Sequence, residues 1–120
     1  MDAAKAIRDL MQIYFDANYE ADAQKIASVF HTEAHVFGRD DDGALIKFDK
    51  ESFVKLIDSL SPETGPRIDE ILSIDFIGEN AAVCRVRLQV GNTIYTDIIS
   101  LMNLKNKWGI ISKVYSGAVV

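Results

Sequence analysis

The hydrophobic period of this chain changes once, at Pro66, and that switch decides the class of fold. Upstream the apolar residues recur at helical spacing. Ala3, Ala6, Ile7, Leu10, Met11, Ile13, Tyr14 and Ala17 form one stripe, with Lys5, Arg8, Asp9, Gln12 and Asp16 opposite, which predicts a first helix over Ala3 to Ala17. Asp22 is placed to cap a second helix, Ala23 to Phe30, and Asp49 a third, Lys50 to Leu60, with Phe53, Leu56, Ile57 and Leu60 turned inward. The Ser61-Pro62-Glu63-Thr64-Gly65-Pro66 stretch then stops helix. Between helices two and three, "AHVFG" and "ALIKF" read as short strands on either side of an Arg39 to Gly43 turn.

Downstream of Pro66 the apolar residues alternate, as they do in half-buried strands. Strands are expected near Ile68 to Ile77, Ala81 to Val90, Thr93 to Leu104 and Lys107 to Ser116, punctuated by Gly78 with Asn80, Gly91 with Asn92, and Asn106. Helices first and strands afterwards describe an α+β fold in one domain spanning residues 1–120: a mostly antiparallel sheet with three helices on one face. No internal repeat, low-complexity segment or linker interrupts it.

One residue conflicts with that pattern. Asp97 stands in the middle of "NTIYTDIISLMNL", where a buried strand should be apolar. A two-residue turn at Gly91-Asn92 places Val90 opposite Thr93, Leu88 opposite Tyr95 and Val86 opposite Asp97. If Asn106 takes the left-handed position of a three-residue loop, Asn103 faces Lys107, Asp97 faces Lys113 and Tyr95 faces Tyr115. The expectation is a cavity between helices and sheet, lined by Tyr95, Asp97, Lys113 and Tyr115, with Lys113 partnering the carboxylate. A one-residue slip in either turn would reverse the faces. The opposite face, carrying Ile94, Ile98, Trp108 and Ile110, is too apolar for water, so a homodimer through it is expected. The sequence leaves open which face Leu72, Ile74 and Phe76 occupy.

Composition removes several function classes. With 18 acidic and 13 basic side chains the net charge is −5, which gives no footprint for nucleic acid or an anionic membrane. No apolar run reaches the roughly 20 residues of a bilayer span, and the charges within Met1 to Ala17 are unlike a signal peptide, so a cytoplasmic location is expected. The single Cys84 lies in a strand alternation and reads as a structural thiol.

No metal or cofactor is called for. His31 and His35 straddle a helix-to-strand junction and share no helix face. The Asp40-Asp41-Asp42-Gly43 run fails as a calcium loop, because with Gly43 at the glycine position the first ligand position falls on Gly38. Phosphate-binding glycine loops and G-x-S-x-G elbows are absent from the sequence.

The order of elements, the run "YFDANYEADAQKIASVFHTEAHVFG" and the ending "YTDIISL…KWGIISKVYS" resemble the nuclear transport factor 2-like superfamily over almost the whole chain. Within it they look closest to the SnoaL-like, "putative lumazine-binding" group. The resemblance implies a cone of three helices against a curved, cystatin-like sheet, and a pocket. The superfamily includes isomerases, cyclases and dehydratases. In its ketosteroid isomerase branch a catalytic carboxylate follows the strand similar to "AHVFG", and an ungapped match puts that position at Gly38, which cannot act as a base.

The residues expected to contact a ligand are therefore Tyr14, His35, Tyr95, Asp97, Lys113 and Tyr115, with Asp97 and His35 as the candidates for proton transfer. Three readings follow. The chain binds a small hydrophobic or aromatic molecule, or it is a cofactor-independent isomerase, cyclase or dehydratase, or it is a dimeric interaction module without a ligand. Asp97 with Lys113 also has a plainer explanation as a structural ion pair.

Overall fold

The computed structural model describes residues 2–120. Its elements run α1 (Ala3–Glu20), α2 (Ala23–Val29), β1 (Phe30–Arg39), β2 (Leu45–Asp49), α3 (Lys50–Asp58), β3 (Asp69–Ile77), β4 (Ala81–Val90), β5 (Thr93–Leu104) and β6 (Lys107–Val119). Each helix starts where an aspartate can take up orphaned backbone donors. Asp2 accepts from the Ala4 and Lys5 N–H groups, Asp22 from Lys25 and Asp49 from Ser52. The first helix outruns its expected end by a turn and closes on Ala21 in the left-handed conformation, φ 52°.

The strands form one open, six-stranded sheet in the order β2-β1-β6-β5-β4-β3. All neighbours are antiparallel except β1 and β6, which run parallel. The helices cover one face. Ile7, Met11, Tyr14, Ile26 and Phe53 from the helices meet Ala82, Cys84, Val86, Leu88, Ile99 and Leu101 from the sheet in a single core. Cys84 is a free, buried thiol whose pKa burial pushes up to about 11. Among the described residues, no helix is long and apolar enough to cross a membrane.

The connection after α3 is tied back to α1. The Glu63 N–H donates to the Tyr19 carbonyl at 2.8 Å, and the Tyr19 hydroxyl donates to the Gly65 carbonyl at 2.7 Å. Arg67 stacks over the Tyr19 ring and pairs with Asp16 and Asp69.

The β4–β5 register is the one the Gly91-Asn92 turn dictates, with Val90 opposite Thr93 and Val86 opposite Asp97. The β5–β6 hairpin differs. Lys105 and Asn106 are both left-handed, φ 54° and 63°, so the loop has two residues rather than three, and Leu104 faces Lys107. A lysine is a poor sequence signal for that conformation, whereas Asn106 is a good one. This slip alone would have turned Lys113 to the far side of the sheet. A bulge cancels it: the register shifts between Ser100 and Leu101, leaving Ile111 as the extra residue of β6.

Beyond the bulge Lys113, Tyr115 and Gly117 therefore share the helix side with Ile99, Asp97 and Tyr95, their cross-strand partners. Before it the faces are exchanged. Trp108 pairs with Asn103 and Ile110 with Leu101, so both belong to the helix side, where Ile110 is fully buried and Trp108 packs against the core. The expectation that these two residues form the outer, dimer-forming face is thus corrected, and only Ile94 and Ile98 remain there. On β3, Ile74 and Phe76 face the helix side opposite Cys84 and Ala82, while Leu72 falls at a second register shift.

Candidate functional site in the cone

Asp97 is fully buried, and its position follows from the strand alternation alone. Its carboxylate holds three relationships. Oδ2 accepts a 2.6 Å hydrogen bond from the Tyr14 hydroxyl on α1 and lies 3.7 Å from the Lys113 ammonium, an ion pair too long for a direct hydrogen bond. Oδ1 is buried with no hydrogen-bond partner among the described residues. A buried acceptor left open carries a desolvation cost of roughly 1–3 kcal/mol, more when charged, so something at this position stands to be gained by a ligand that donates to it.

Lys113 reaches Asp97 from the diagonal, since Tyr115 and not Lys113 is its cross-strand neighbour. Its ammonium lies over three rings, 4.8 Å from the centroid of Phe53, 5.0 Å from Tyr14 and 5.6 Å from Tyr115. Such faces attract a cation in place of water. Burial lowers the Lys113 pKa from its ordinary value, and the Asp97 charge opposes that shift without reversing it. For Tyr14, burial and then the Asp97 charge push the phenol well above its ordinary value, so it is a neutral donor.

Asp97 and Lys113 border a cavity of about 130 Å³, whereas Tyr14, expected to contact a ligand, is fully buried and does not line it. Tyr95, Asp97, Lys113 and Tyr115 border it, with Phe48, Phe53, Leu88 and Val90 as apolar walls and Leu56 and Leu60 at its rim. Tyr95 and Tyr115 meet edge to face, ring centroids 5.9 Å apart. Tyr14 acts on the site only through its hydroxyl bond to Asp97.

His35 is not there. Val36 faces the core next to Lys113, so the alternation of β1 sends His35 to the opposite face, where its ring stacks on Phe37 at 6.1 Å and its cross-strand partner is Asp49. The proton-transfer and ligand-contact roles expected of it at the mouth of the cone lose their geometric basis. Short strands such as "AHVFG" offer too few alternations to fix a face from sequence.

Gly38 is the residue whose importance the sequence understates. It is buried beside Tyr115, and a Cβ built on it would lie 2.2 Å from Cζ of that ring. The space a side chain at this position would occupy is filled by Tyr115. Among the described residues no group of three or more His, Cys, Asp or Glu could hold a metal ion.

A cone of three helices on an open mixed sheet, with a small polar-ended cavity between them, is the cystatin-like, nuclear transport factor 2-like α+β fold. The chain belongs to the family described as "Putative lumazine-binding", whose model matches residues 2–116. Among curated proteins, nothing matches the sequence. A solved NTF2-like protein of unknown function from Shewanella baltica is similar with a TM-score of 0.90 at 23% identity, covering 100% of this chain and 99% of that one. One from Methylobacillus flagellatus gives 0.87 at 24%, covering 99% and 94%. A cystatin-like domain of unknown function from Nostoc punctiforme gives 0.76 at 13%, covering 100% and 81%. At these identities the likeness establishes the fold.

Proposed function

We propose that the protein binds a small molecule in the cone, holding a polar edge of it between Asp97 and Lys113. The observation that carries this reading is the buried, unpartnered Oδ1 of Asp97 beside an ammonium that no direct hydrogen bond ties to it. Together they offer an acceptor next to a donor, which matches a ligand edge with a donor next to an acceptor, such as the N–H and C=O of a lactam. Tyr14 supports the carboxylate from behind, and the tyrosine pair and Phe53 supply flat apolar walls.

The size of the cavity limits the ligand. About 130 Å³ is close to the ~150 Å³ at which an apolar cavity admits benzene, and below the ~300–1,000 Å³ of most ligand pockets. A single ring therefore fits as the cavity stands, whereas a two-ring pteridine such as lumazine needs Leu56 and Leu60 at the rim to give way. Thermal unfolding tests this with 2-pyridone, uracil and lumazine as probes. A single-ring lactam present at about 100 times its Kd should stabilise the fold by roughly 2.7 kcal/mol, and an Asp97→Asn variant with native circular dichroism should lose that response. No rise in melting temperature with any of the three would reject the lactam reading.

We also propose that the outer sheet face pairs with a second copy of the chain. Ile98 and Val114 are cross-strand neighbours there, 50% and 51% exposed, and Met102, at 39%, lies on the same face further along β5 beyond Ser100. An apolar centre of this kind on a sheet face is what a homodimer interface covers, and the Arg87–Glu70 pair at 3.0 Å lies on the same face toward β3. Ile98→Glu with Val114→Glu should convert a dimer to a monomer in sedimentation velocity. A wild-type chain that already sediments as a monomer at micromolar concentration would overturn the proposal.

A further inference from the structure

A second, larger concavity lies at the far end of β6 from the Asp97 cavity. It lies where β6 runs past the start of β1. Phe30, the first residue of β1, pairs with Ile110, so Lys107, Trp108 and Gly109 extend beyond that strand and lie beside the end of α2 at Ala27 to Val29. The groove between them measures about 480 Å³, within the usual range for small-molecule sites.

Its lining is unusual for this chain. Lys50, Lys105, Lys107 and His31 converge on it with Trp108 and Thr32, and no carboxylate lines it, although acidic side chains outnumber basic ones 18 to 13. Of the acids nearby, Glu51 pairs with Lys55 at 3.2 Å, the Asp49 carboxylate caps α3 through the Ser52 N–H at 2.8 Å, and Glu33, next to Thr32, is exposed and outside the lining. Lys50 is fixed in place by donating to the Phe30 carbonyl at 2.8 Å. Burial, and then the Lys107 charge, lower its pKa from the ordinary value, as expected of two cations lining one groove. The Nδ1 of His31 accepts the Glu33 N–H at 3.0 Å, which places the imidazole proton on Nε2 and leaves that donor free. Trp108 contributes an aromatic ring.

We propose that this groove is a second binding site, for a small molecule that carries a carboxylate or phosphate on a flat ring. The anion would sit among Lys50, Lys107 and the His31 donor, where charge-assisted hydrogen bonds are strongest, and the ring would lie against Trp108. Lys105, held on the turn in the left-handed conformation, adds charge at the entrance.

Trp108 is the sole tryptophan, so all of the tryptophan fluorescence comes from a residue that lines this groove. Titration with phenyl phosphate and with benzoate should give a saturable change for at least one of them, and the stronger response identifies the anion. Lys105→Glu with Lys107→Glu, both at exposed positions, should weaken that binding tenfold or more while leaving the thermal response to 2-pyridone intact. Lys50 is spared because its contact with Phe30 is structural. A Trp108 signal that does not saturate with either probe, or a dissociation constant unchanged in the double variant, would overturn the site, and neither result bears on the cone.

Discussion

Replacing Gly38 with alanine should lower the melting temperature by several degrees and drive the Tyr115 ring out of the cone. The added Cβ would stand 2.2 Å from Cζ, 2.5 Å from Oη and 2.6 Å from Cε1 of Tyr115, distances at which the ring must move. Overpacking of this kind costs roughly 1–3 kcal/mol. For a chain of this size each kcal/mol is worth about 3–6 °C. The displaced ring would also leave its edge contact with Tyr95 and its place over the Lys113 ammonium.

A second substitution separates this mechanism from a general intolerance of side chains on β1. Tyr115→Ala removes the obstruction, so the Gly38→Ala/Tyr115→Ala double variant should be more stable than the sum of the two single effects predicts, a coupling of about 1 kcal/mol or more. Strict additivity in the double variant, or a Gly38→Ala protein with an unshifted melting temperature, would mean that the ring is not held where the structure places it. An aspartate at residue 38 and the Tyr115 ring compete for one volume.

The fold was legible because its largest signals are redundant. Two aspartate caps at Asp22 and Asp49, a helical stripe from Ile7 to Ala17 and an unambiguous Gly91-Asn92 turn each point to the same architecture, and the structure adds a third cap at Asp2. The site was legible only in part, and for a reason specific to sheets. Facing depends on parity, so an error of one residue reverses everything beyond it. Reading the Asn106 turn as three residues was such an error. The bulge at Ile111 introduced a second, which restored Lys113 and Tyr115 to the cone while leaving Trp108 and Ile110 on the side opposite to the one expected. Nothing in "KNKWGIISK" marks a bulge, because Gly109 and Ile111 are equally compatible with regular pairing. The groove beside Trp108 was invisible for a related reason. It depends on the end of α2 meeting the start of β6, residues some 80 positions apart, a tertiary event with no local pattern to announce it.

Removing the Asp97 carboxylate should be the most damaging single change in the cone, and it should be partly repaired by also removing Lys113. Asp97→Leu strands the Lys113 ammonium among three rings and deprives the Tyr14 hydroxyl of its acceptor, and breaking a buried pair from one side costs on the order of 3–5 kcal/mol. Lys113→Met should cost less. Burial already outweighs the attraction of Asp97 in setting the Lys113 pKa, so deleting the ammonium relieves a desolvation penalty, and the carboxylate keeps its bond from Tyr14. The Asp97→Leu/Lys113→Met pair, with Tyr14→Phe to remove the orphaned hydroxyl, should then unfold closer to wild type than Asp97→Leu does. The pH dependence fixes the sign. A lysine whose folded pKa lies below its unfolded value binds fewer protons when folded, so its cost to stability recedes as pH rises toward the ordinary 10.5. Without Asp97 nothing opposes the effect of burial, and the folded pKa falls further. The stability gap between Asp97→Leu and wild type should accordingly narrow between about pH 7 and pH 10 in urea unfolding. A gap that stays constant or widens over that interval would show that the ammonium of Lys113 is solvated in the variant, and that the carboxylate is not what holds it in the cone.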